Sequence, residues 1–578
     1  MEKSEVGMIK GKLIFVLHSH LPYVISHGKW PHGMDWINEA AAETYLPLLQ
    51  IMDRLISERI SPKLTIGITP VLSEMLADEV FKDEFAAYLD QKIEAAARDA
   101  EEFYRITDSR HYLARMWEEF YGSMKKYFLE TLKRDIPGAF RKLQDDGHIE
   151  IITCAATHGY LPLLGEDTSV QAQVKLGVAT YRKHYGREPK GFWLPECAYR
   201  PAYEWTPPVE GFGGPRPRKG VEEFLGENGI RYFIVDSHLL RGGKSVGVYL
   251  DRFEALRQLW KNFESQYTQV EEDTAKSSHK LYYVSSAEGK GPVAFFARDP
   301  ETGIQVWSGE HGYPGDGAYL DFHKKHFPGG HRYWKVTSAK SDLADKLVYE
   351  PEQVEARIKE NALHFKNLVR DICRGEGLID GNPPMVCAPF DAELFGHWWF
   401  EGPRWLYAVL KETALDPELE ACTLSEYYEA YPPVQVVSLP EGSWGQGGFH
   451  WIWLNDWTTW TWKHIYEDER LMREAAAAYS GRMDEPLASL MKQLARELVL
   501  LESSDWQFLI STWSARDYAE MRFTHHHDDF RQLLALAHKA AAGEPLSEGE
   551  RESVRIIEER DKVFDLIDPK WWAKVEFP

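Results

Sequence analysis

Uninterrupted apolar runs recur along the first two thirds of the chain, and most of them end on a polar or ionisable residue. Runs without polar–apolar alternation are typical of parallel strands that are buried on both faces. Seven of them predict strands, at 12–17, 64–70, 148–157, 191–195, 231–236, 292–297 and 384–390. Segments with helical periodicity, such as 38–57, 170–185 and 352–374, separate most of these strands. The alternation predicts an α/β fold, an incomplete (β/α)7 barrel.

Two long stretches depart from this alternation. From 83 to 141 the pattern is helical throughout, which is longer than one crossover needs and predicts a helical subdomain inserted after the second strand. After residue 416 helical patterns follow one another with no clear strand run. We therefore expect three units: a catalytic barrel at 1–415, a helical insertion at 80–142 within it, and a C-terminal helical domain at 416–578 that contributes to the substrate cleft.

Two of the apolar runs end on a carboxylate, Glu196 in one and Asp391 in the other. An acid at the carboxyl end of a buried parallel strand lies on the face where α/β enzymes place their chemistry. Two such acids can divide the work when their surroundings push their pKa values apart. Glycoside cleavage needs a pair of this kind, so Glu196 and Asp391 are predicted to be catalytic.

Composition favours a carbohydrate ligand. The net charge of −23 argues against nucleic acid or an anionic membrane as a partner, since both attract basic surfaces. The chain holds 21 tryptophans, several of them in segments that read as loops, where a core role is hard to justify. Aromatic rings stack on the flat C–H faces of sugars, so a sugar polymer fits this composition.

The cysteines indicate a reducing compartment. There are five, scattered and without a CxxC pair, which is typical of reduced thiols in a cytoplasmic protein. The apolar run at 13–17 is too short for a signal peptide or a membrane span.

Two histidine clusters leave alternatives open. His18 and His20 are two residues apart on a strand, so they point the same way and form either a metal pair or a hydrogen-bonded polar pocket. The run 525–527 is three histidines followed by two aspartates, which indicates either a solvated helix face or a metal site.

Three irregular segments are candidates for the rim of a site. The stretch 241–290 has no clean pattern and is interpreted as a lid or binding loop. The glycine-rich loop 442–448 lacks the Lys-Ser/Thr and the preceding strand of a nucleotide loop, and the tryptophans after it suit a sugar chain better. Ser503-Ser-Asp-Trp506 is either a similar polar–aromatic cluster or helix packing through Trp506.

Several of these stretches resemble successive sequence regions of the family-57 glycoside hydrolases, and most closely those of its 1,4-α-glucan branching enzymes. The stretches are His18-Ser-His-Leu-Pro-Tyr23, Gly147-His-Ile-Glu-Ile151 with Thr157-His158, Trp193-Leu-Pro-Glu-Cys-Ala-Tyr199 and Ala388-Pro-Phe-Asp-Ala-Glu-Leu-Phe-Gly-His397. The resemblance covers nearly the whole chain. It implies an incomplete (β/α)7 barrel, a retaining mechanism, and no metal or other cofactor in the chemistry.

The resemblance also implies roles for individual residues. Glu196 corresponds to the nucleophile and Asp391 to the general acid/base. The residues expected to contact substrate are His18, His20 and His158 on the donor side, and Trp30, Trp307, Trp444, Trp453, Asp505 and Trp506 along the glucan. Tyr249 best matches a loop tyrosine that favours transfer over hydrolysis, although 252–280 looks like an insertion relative to the family.

The expected activity is cleavage of an α-1,4 glucan, such as amylose or a glycogen-like polymer, and transfer of the segment to a 6-hydroxyl. An α-amylase or a 4-α-glucanotransferase on the same scaffold remains an alternative, separable by product linkage. A metal-dependent carbohydrate enzyme that uses His18 and His20, such as a polysaccharide deacetylase or a zinc mannosidase, is a further one. A non-catalytic glucan-binding protein is the remaining class.

Overall fold

A computed structural model describes residues 10–243, 253–267, 270–287, 291–308, 312–338, 340–479, 481–482 and 484–575. Its central element is a curled sheet that contains all seven expected strands, every neighbouring pair of which is parallel. In chain order they are β1 (Gly11–Ser19), β2 (Leu64–Ile68), β3 (Ile149–Cys154), β4 (Gly191–Trp193), β5 (Tyr232–Asp236), β6 (Ala294–Arg298) and β7 (Met385–Asp391).

The strand order is β7-β1-β2-β3-β4-β5-β6. The two ends of the curled sheet approach each other, since Asp299 N–H, just after β6, donates to the Cys387 carbonyl oxygen of β7 at 2.9 Å. No ladder joins β6 to β7 among the described residues, so the barrel is incomplete as predicted.

Helices cover the outside of the sheet, and almost all residues of its strands are buried. Phe15 of β1 stacks on Phe365 of an outer helix with ring centroids 5.4 Å apart. Gly177 allows another helix to approach β3 closely, because a Cβ there would clash with the Cys154 carbonyl oxygen. The barrel helices are Met34–Ala40, Leu46–Ser57 after a π turn, Pro70–Ala77, Asp167–Tyr185, Val221–Glu227, Ser237–Arg241, Pro300–Trp307, Pro351–Glu376 and Gly402–Leu415.

The stretch between β2 and β3 is helical, with Glu79–Arg105, His111–Lys126 and Ile136–Asp145. Later in the chain come Leu424–Ala430, Thr459–Tyr479, Leu487–Leu501, Asp505–Thr512, Arg516–Ala541 and Glu548–Arg560. Among the described helices, none combines the length and the apolar character of a membrane span. The domain limits at 80–142 and 416 stay predictions.

Five short strands were missed by the sequence analysis, and two of them, Tyr203–Trp205 and Arg216–Arg218, form a separate antiparallel pair. Tyr282–Val284, inside the 241–290 excursion, pairs antiparallel with β6. Leu419–Ala421 pairs with β1, and Val436–Val437 pairs with Tyr282–Val284. The expectation of no strand after residue 416 is therefore wrong. Segments of two or three residues are too short to show a periodic pattern, and only their position at the sheet makes them strands.

The solvated-face interpretation of the 525–527 histidines is also wrong in part. His526 is fully buried, with Nδ1 2.7 Å from Glu497 Oε2 and Nε2 3.1 Å from Arg522 Nη2. His527 Nδ1 lies 2.6 Å from Asp468 Oδ2. Successive residues of a helix point about 100° apart, so adjacent histidines cannot share one face.

Candidate active site

Glu196 lies on a sharp turn, Pro195–Cys197, directly after β4. Its φ of 58° and ψ of 24° fall in the left-handed region, which costs a residue with a side chain roughly 1–2 kcal/mol. The turn is held from outside, since Trp444 N–H donates to the Glu196 carbonyl oxygen at 3.1 Å. A strained turn fixed by a second segment sets the direction of the Glu196 side chain.

The Glu196 carboxyl is nearly enclosed but still reachable. Its side chain keeps 13% of its exposure, and Oε2 accepts a hydrogen bond from Trp444 Nε1 at 2.8 Å. Burial raises the pKa of Glu196 to about 8, the Trp444 hydrogen bond opposes the rise, and the charges of Asp391 and Asp505 add to it. Glu196 therefore changes its protonation state near neutral pH.

Asp391 is the last residue of β7 and is half-buried. In the register of β1 with β7 it lies opposite His18. Its charge raises the pKa of Glu196, so the two carboxyls are within electrostatic reach of each other. The structure brings both predicted acids to the carboxyl-end rim of one parallel sheet.

The three predicted histidines line the pocket beside Glu196. His18 Nε2 and His158 Nε2 are 3.1 Å apart, and burial lowers the pKa of both rings well below the usual value. One neutral ring therefore donates to the other. His158 Nδ1 lies 2.9 Å from Ser504 Oγ, and His20 Nε2 lies 2.8 Å from Asp505 Oδ2. Residues after position 500 thus complete the pocket that the barrel begins.

These contacts favour a hydrogen-bonded pocket over a metal pair of His18 and His20. Both nitrogens of His20 have partners within the protein, one being Thr69 Oγ1 at 3.1 Å from Nδ1. A different set, His18, Cys154 and His158, has ligand atoms within 4.8 Å of one another. Burial raises the pKa of the Cys154 thiol well above its usual value, and the two histidines of this set already contact each other through their Nε2 atoms at 3.1 Å.

Trp444 and Trp307 belong to an aromatic wall next to Glu196. The Trp444 ring meets Trp193 edge-on at 5.4 Å and Trp307 at 6.4 Å between centroids. The Arg298 guanidinium lies 5.3 Å from the Trp444 ring centroid. Trp444 keeps 4% of its exposure and Trp307 keeps 1%. The wall therefore encloses Glu196 and leaves little ring surface on which a sugar could stack.

Trp453 and Trp506 are fully buried. Trp453 stacks on Tyr160 at 4.6 Å, and Trp506 Nε1 donates to the Leu500 carbonyl oxygen at 2.8 Å. Neither ring has a surface on which a sugar could stack, so the predicted direct contact with a glucan is not supported for these two. Tertiary packing decides the burial of a tryptophan, and the local sequence does not report it.

The remaining predicted contacts are Trp30 and Tyr249. Trp30, in the loop after β1, keeps 72% of its exposure. Tyr249 lies outside the described residues. The described part of the same excursion includes the helix Glu254–Phe263, in which Trp260 packs on Trp451 with centroids 5.5 Å apart. The described part of the 241–290 excursion therefore packs against the segment that carries Trp444 and Trp451.

Sequence reasoning missed Glu393, a second buried acid beside Asp391. Its Oε1 accepts hydrogen bonds from Tyr45 Oη at 2.5 Å and from the His20 backbone N–H at 3.2 Å. Burial raises the pKa of Glu393 to about 8, and the charge of Asp391 adds to the rise. The sequence did hold a clue to this second acid, because Glu393 lies two residues after Asp391 in the stretch Ala388–His397 quoted above.

A pair of strand-end carboxyls, set among aromatic rings and neutral histidines, is the arrangement that glycoside-cleaving enzymes use. Residues 14–440 match the family model described as Glycosyl hydrolase family 57. The chain belongs to this family. Residues 464–572 match a second model, described as 1,4-alpha-glucan branching enzyme, C-terminal.

Individual relatives agree over nearly the full length. The chain is 42% identical to the 1,4-alpha-glucan branching enzyme TK1436 of Thermococcus kodakarensis, over 96% of this chain and 78% of the relative. The crystal structure of TK1436 in complex with glucose and additives superposes with a TM-score of 0.88 at 40% identity, covering 99% of this chain and 98% of that one. The alpha-amylase AmyC of Thermotoga maritima superposes with a TM-score of 0.79 at 29% identity, covering 98% and 100%.

Proposed function

We propose that the protein is a 1,4-α-glucan branching enzyme. The observation that carries this proposal is the completion of the pocket by Ser504 and Asp505, which bind His158 and His20. Both residues lie in the region matched by the branching-enzyme C-terminal model. The 42% identity to TK1436 supports the same activity. The part of the chain typical of branching enzymes is thus joined directly to the catalytic pocket.

In the first half of the proposed reaction Glu196 attacks the anomeric carbon of an α-1,4 glucan. Asp391 protonates the leaving oxygen, and a covalent glycosyl-enzyme forms. Glu196 has to be ionised and Asp391 protonated for this step. The indole N–H of Trp444 stabilises the ionised form of Glu196 and so partly offsets the burial that favours its protonated form.

In the second half Asp391, now ionised, takes the proton from the 6-hydroxyl of an acceptor glucan. The hydroxyl oxygen replaces Glu196 at the anomeric carbon, and an α-1,6 branch results. Water competes for the same intermediate, so the exclusion of water decides between branching and hydrolysis. The aromatic wall at Trp307 and Trp444, with 1% and 4% exposure, supports a poorly hydrated pocket.

The proposed ligand is an α-glucan polymer, and the proposed location is the cytoplasm. All five cysteines are buried free thiols, which suits a reducing compartment.

A second candidate is an α-amylase, favoured by the full-length similarity to AmyC. Both activities share the first half-reaction and differ in what captures the glycosyl-enzyme.

Proton NMR on amylose incubated with the enzyme tests the proposal. New α-1,6 linkages are counted against new reducing ends, with an EDTA-dialysed sample alongside. We expect many branches, few reducing ends, and equal rates with and without EDTA. New reducing ends without branches would show that the protein is an amylase. Loss of activity in EDTA would favour a metal-dependent carbohydrate enzyme instead.

A further inference from the structure

Trp513 occupies a position where a helix would normally favour glycine. It caps the carboxyl end of the helix Asp505–Thr512 with φ 57° and ψ 17°, in the left-handed region. Glycine is the usual residue at such an end, because a side chain there costs roughly 1–2 kcal/mol. The indole is nevertheless 49% exposed. Packing therefore explains only part of what holds a tryptophan at this strained position.

A second tryptophan lies against the first. The rings of Trp457 and Trp513 have centroids 5.0 Å apart and planes inclined by 35°, and Trp457 is half-buried. We call this pair the Trp457–Trp513 platform. Exposed Asp456 and Ser514 flank it, and Ser514 Oγ lies 2.7 Å from Thr512 Oγ1. The platform is an aromatic surface bordered by hydroxyl and carboxyl groups.

Asn455 fixes both halves of the platform. It is 5% exposed, its Oδ1 accepts from the Trp457 backbone N–H at 2.9 Å, and its Nδ2 donates to Ser511 Oγ at 2.9 Å. One buried side chain thus ties the segment before Trp457 to the segment before Trp513. The two rings are positioned before any ligand arrives, which lowers the entropy cost of binding.

The platform is separate from the catalytic pocket but not remote from it. The helix that ends at Trp513 begins at Asp505, whose Oδ2 lies 2.8 Å from His20 Nε2. Eight helical residues span about 12 Å at 1.5 Å each. A ligand on the platform therefore does not touch the reacting residues, while a polymer chain is long enough to reach both places.

We propose that the Trp457–Trp513 platform is a second binding site for α-glucan chains, which stack glucose rings on the indoles. The proposal rests on the proposed α-glucan substrate. Hydroxyls of the sugar find partners in Asp456 and Ser514. A polyanion does not suit a protein with a net charge of −23, whereas a neutral polyol does. The site holds a polymeric substrate near the enzyme, and short oligosaccharides do not need it.

The sharpest test is Trp513→Gly, because glycine relieves the left-handed backbone while it removes the ring. Native gel electrophoresis through immobilised glycogen measures retention, and thermal unfolding measures stability. We expect roughly tenfold weaker glycogen binding, from the loss of a stacked ring, with an unfolding temperature equal to or above that of the wild type. Trp457→Ala should weaken retention similarly. Tyr104→Ala, which removes a ring that is 75% exposed on the helical insertion, is the matched control and should leave retention unchanged.

Kinetics separate this site from the catalytic one. In Trp513→Gly, kcat/KM on long amylose should fall, while kcat/KM on a short maltooligosaccharide should not. Equal retention of variant and wild type, or equal losses on both substrates, would overturn the proposal. Unchanged glycogen affinity with a changed oligomeric state in Trp513→Gly would assign the platform to contacts between copies and would also overturn it. If the wild type acts on no α-glucan, the proposed function itself has failed.

Discussion

Replacing Trp444 with phenylalanine should move the acidic limb of the pH–activity profile to higher pH. Trp444 Nε1 donates to Glu196 Oε2 at 2.8 Å. Phenylalanine keeps an aromatic ring for packing against Trp193 and under Arg298, which contact the Trp444 ring at 5.4 and 5.3 Å. The substitution therefore removes the indole N–H together with part of a nearly buried ring, and the control below measures the packing loss. Because that hydrogen bond lowers the pKa of Glu196, its loss raises the pKa above about 8.

The size of the change follows from the strength of the bond. A hydrogen bond to a charged group contributes about 1.5–3 kcal/mol, and 1.36 kcal/mol corresponds to one pKa unit. The acidic limb should thus rise by about one to two pH units. The nucleophile has to be ionised, so activity well below this limb should fall roughly 10- to 100-fold and should recover as the pH rises.

The assay is kcat/KM on amylose over a pH series at constant ionic strength, since this ratio reports the pKa values of the free enzyme. Trp453→Phe is the matched control, because Trp453 Nε1 is buried and has no hydrogen-bond partner among the described residues. The Trp453→Phe variant should lose some stability, but the acidic limb of its pH–activity profile should stay at the wild-type pH. A Trp444→Phe profile that is lowered equally at every pH would refute the reasoning, and would mean that Trp444 acts only through contact with the sugar.

Three further outcomes are expected. Glu196→Gln and Asp391→Asn should each reduce turnover to below about one thousandth with unchanged circular dichroism melts, and substantial remaining activity in either variant would contradict the assignment. Arg298→Ala should cost about 3–5 kcal/mol in urea unfolding, because Arg298 Nη2 pairs at 2.6 Å with fully buried Asp236; an unchanged midpoint would contradict this. Burial lowers the pKa of His18. Below about pH 6.5 this histidine is therefore protonated in the unfolded chain but stays neutral in the folded chain. Stability should fall as the pH drops below 6.5, more steeply in the wild type than in His18→Gln, and equal slopes would count against it.

The barrel could be predicted because its strands are buried on both faces. The run at 12–17, for example, became β1, in which Val16 and Leu17 have no exposure at all. Burial of that kind leaves an apolar run that is visible in the sequence. Tyr282–Val284 and Val436–Val437 could not be predicted, because strands this short are defined by their neighbours in the sheet.

The candidate site divides in the same way. Glu196 and Asp391 follow directly from apolar runs, so their place at one rim was predictable. The contribution of Ser504 was not, because its contact with His158 joins positions 346 residues apart. The burial of Trp453 was not predictable either. The local sequence around a tryptophan after a glycine-rich loop is the same whether its ring faces a sugar or packs on Tyr160.

The contact of His20 with Asp505 joins positions 485 residues apart, and this has a consequence for the order in which the protein is made. A ribosome extends a chain by about 5–20 residues per second, so His20, directly after β1, exists for tens of seconds before Asp505 has been synthesised. During that time the barrel can form, but the pocket lacks Ser504 and Asp505. A nascent chain stalled before position 503 should therefore be folded in its barrel and inert towards glucan. Activity arrives late in synthesis, as the last helices dock.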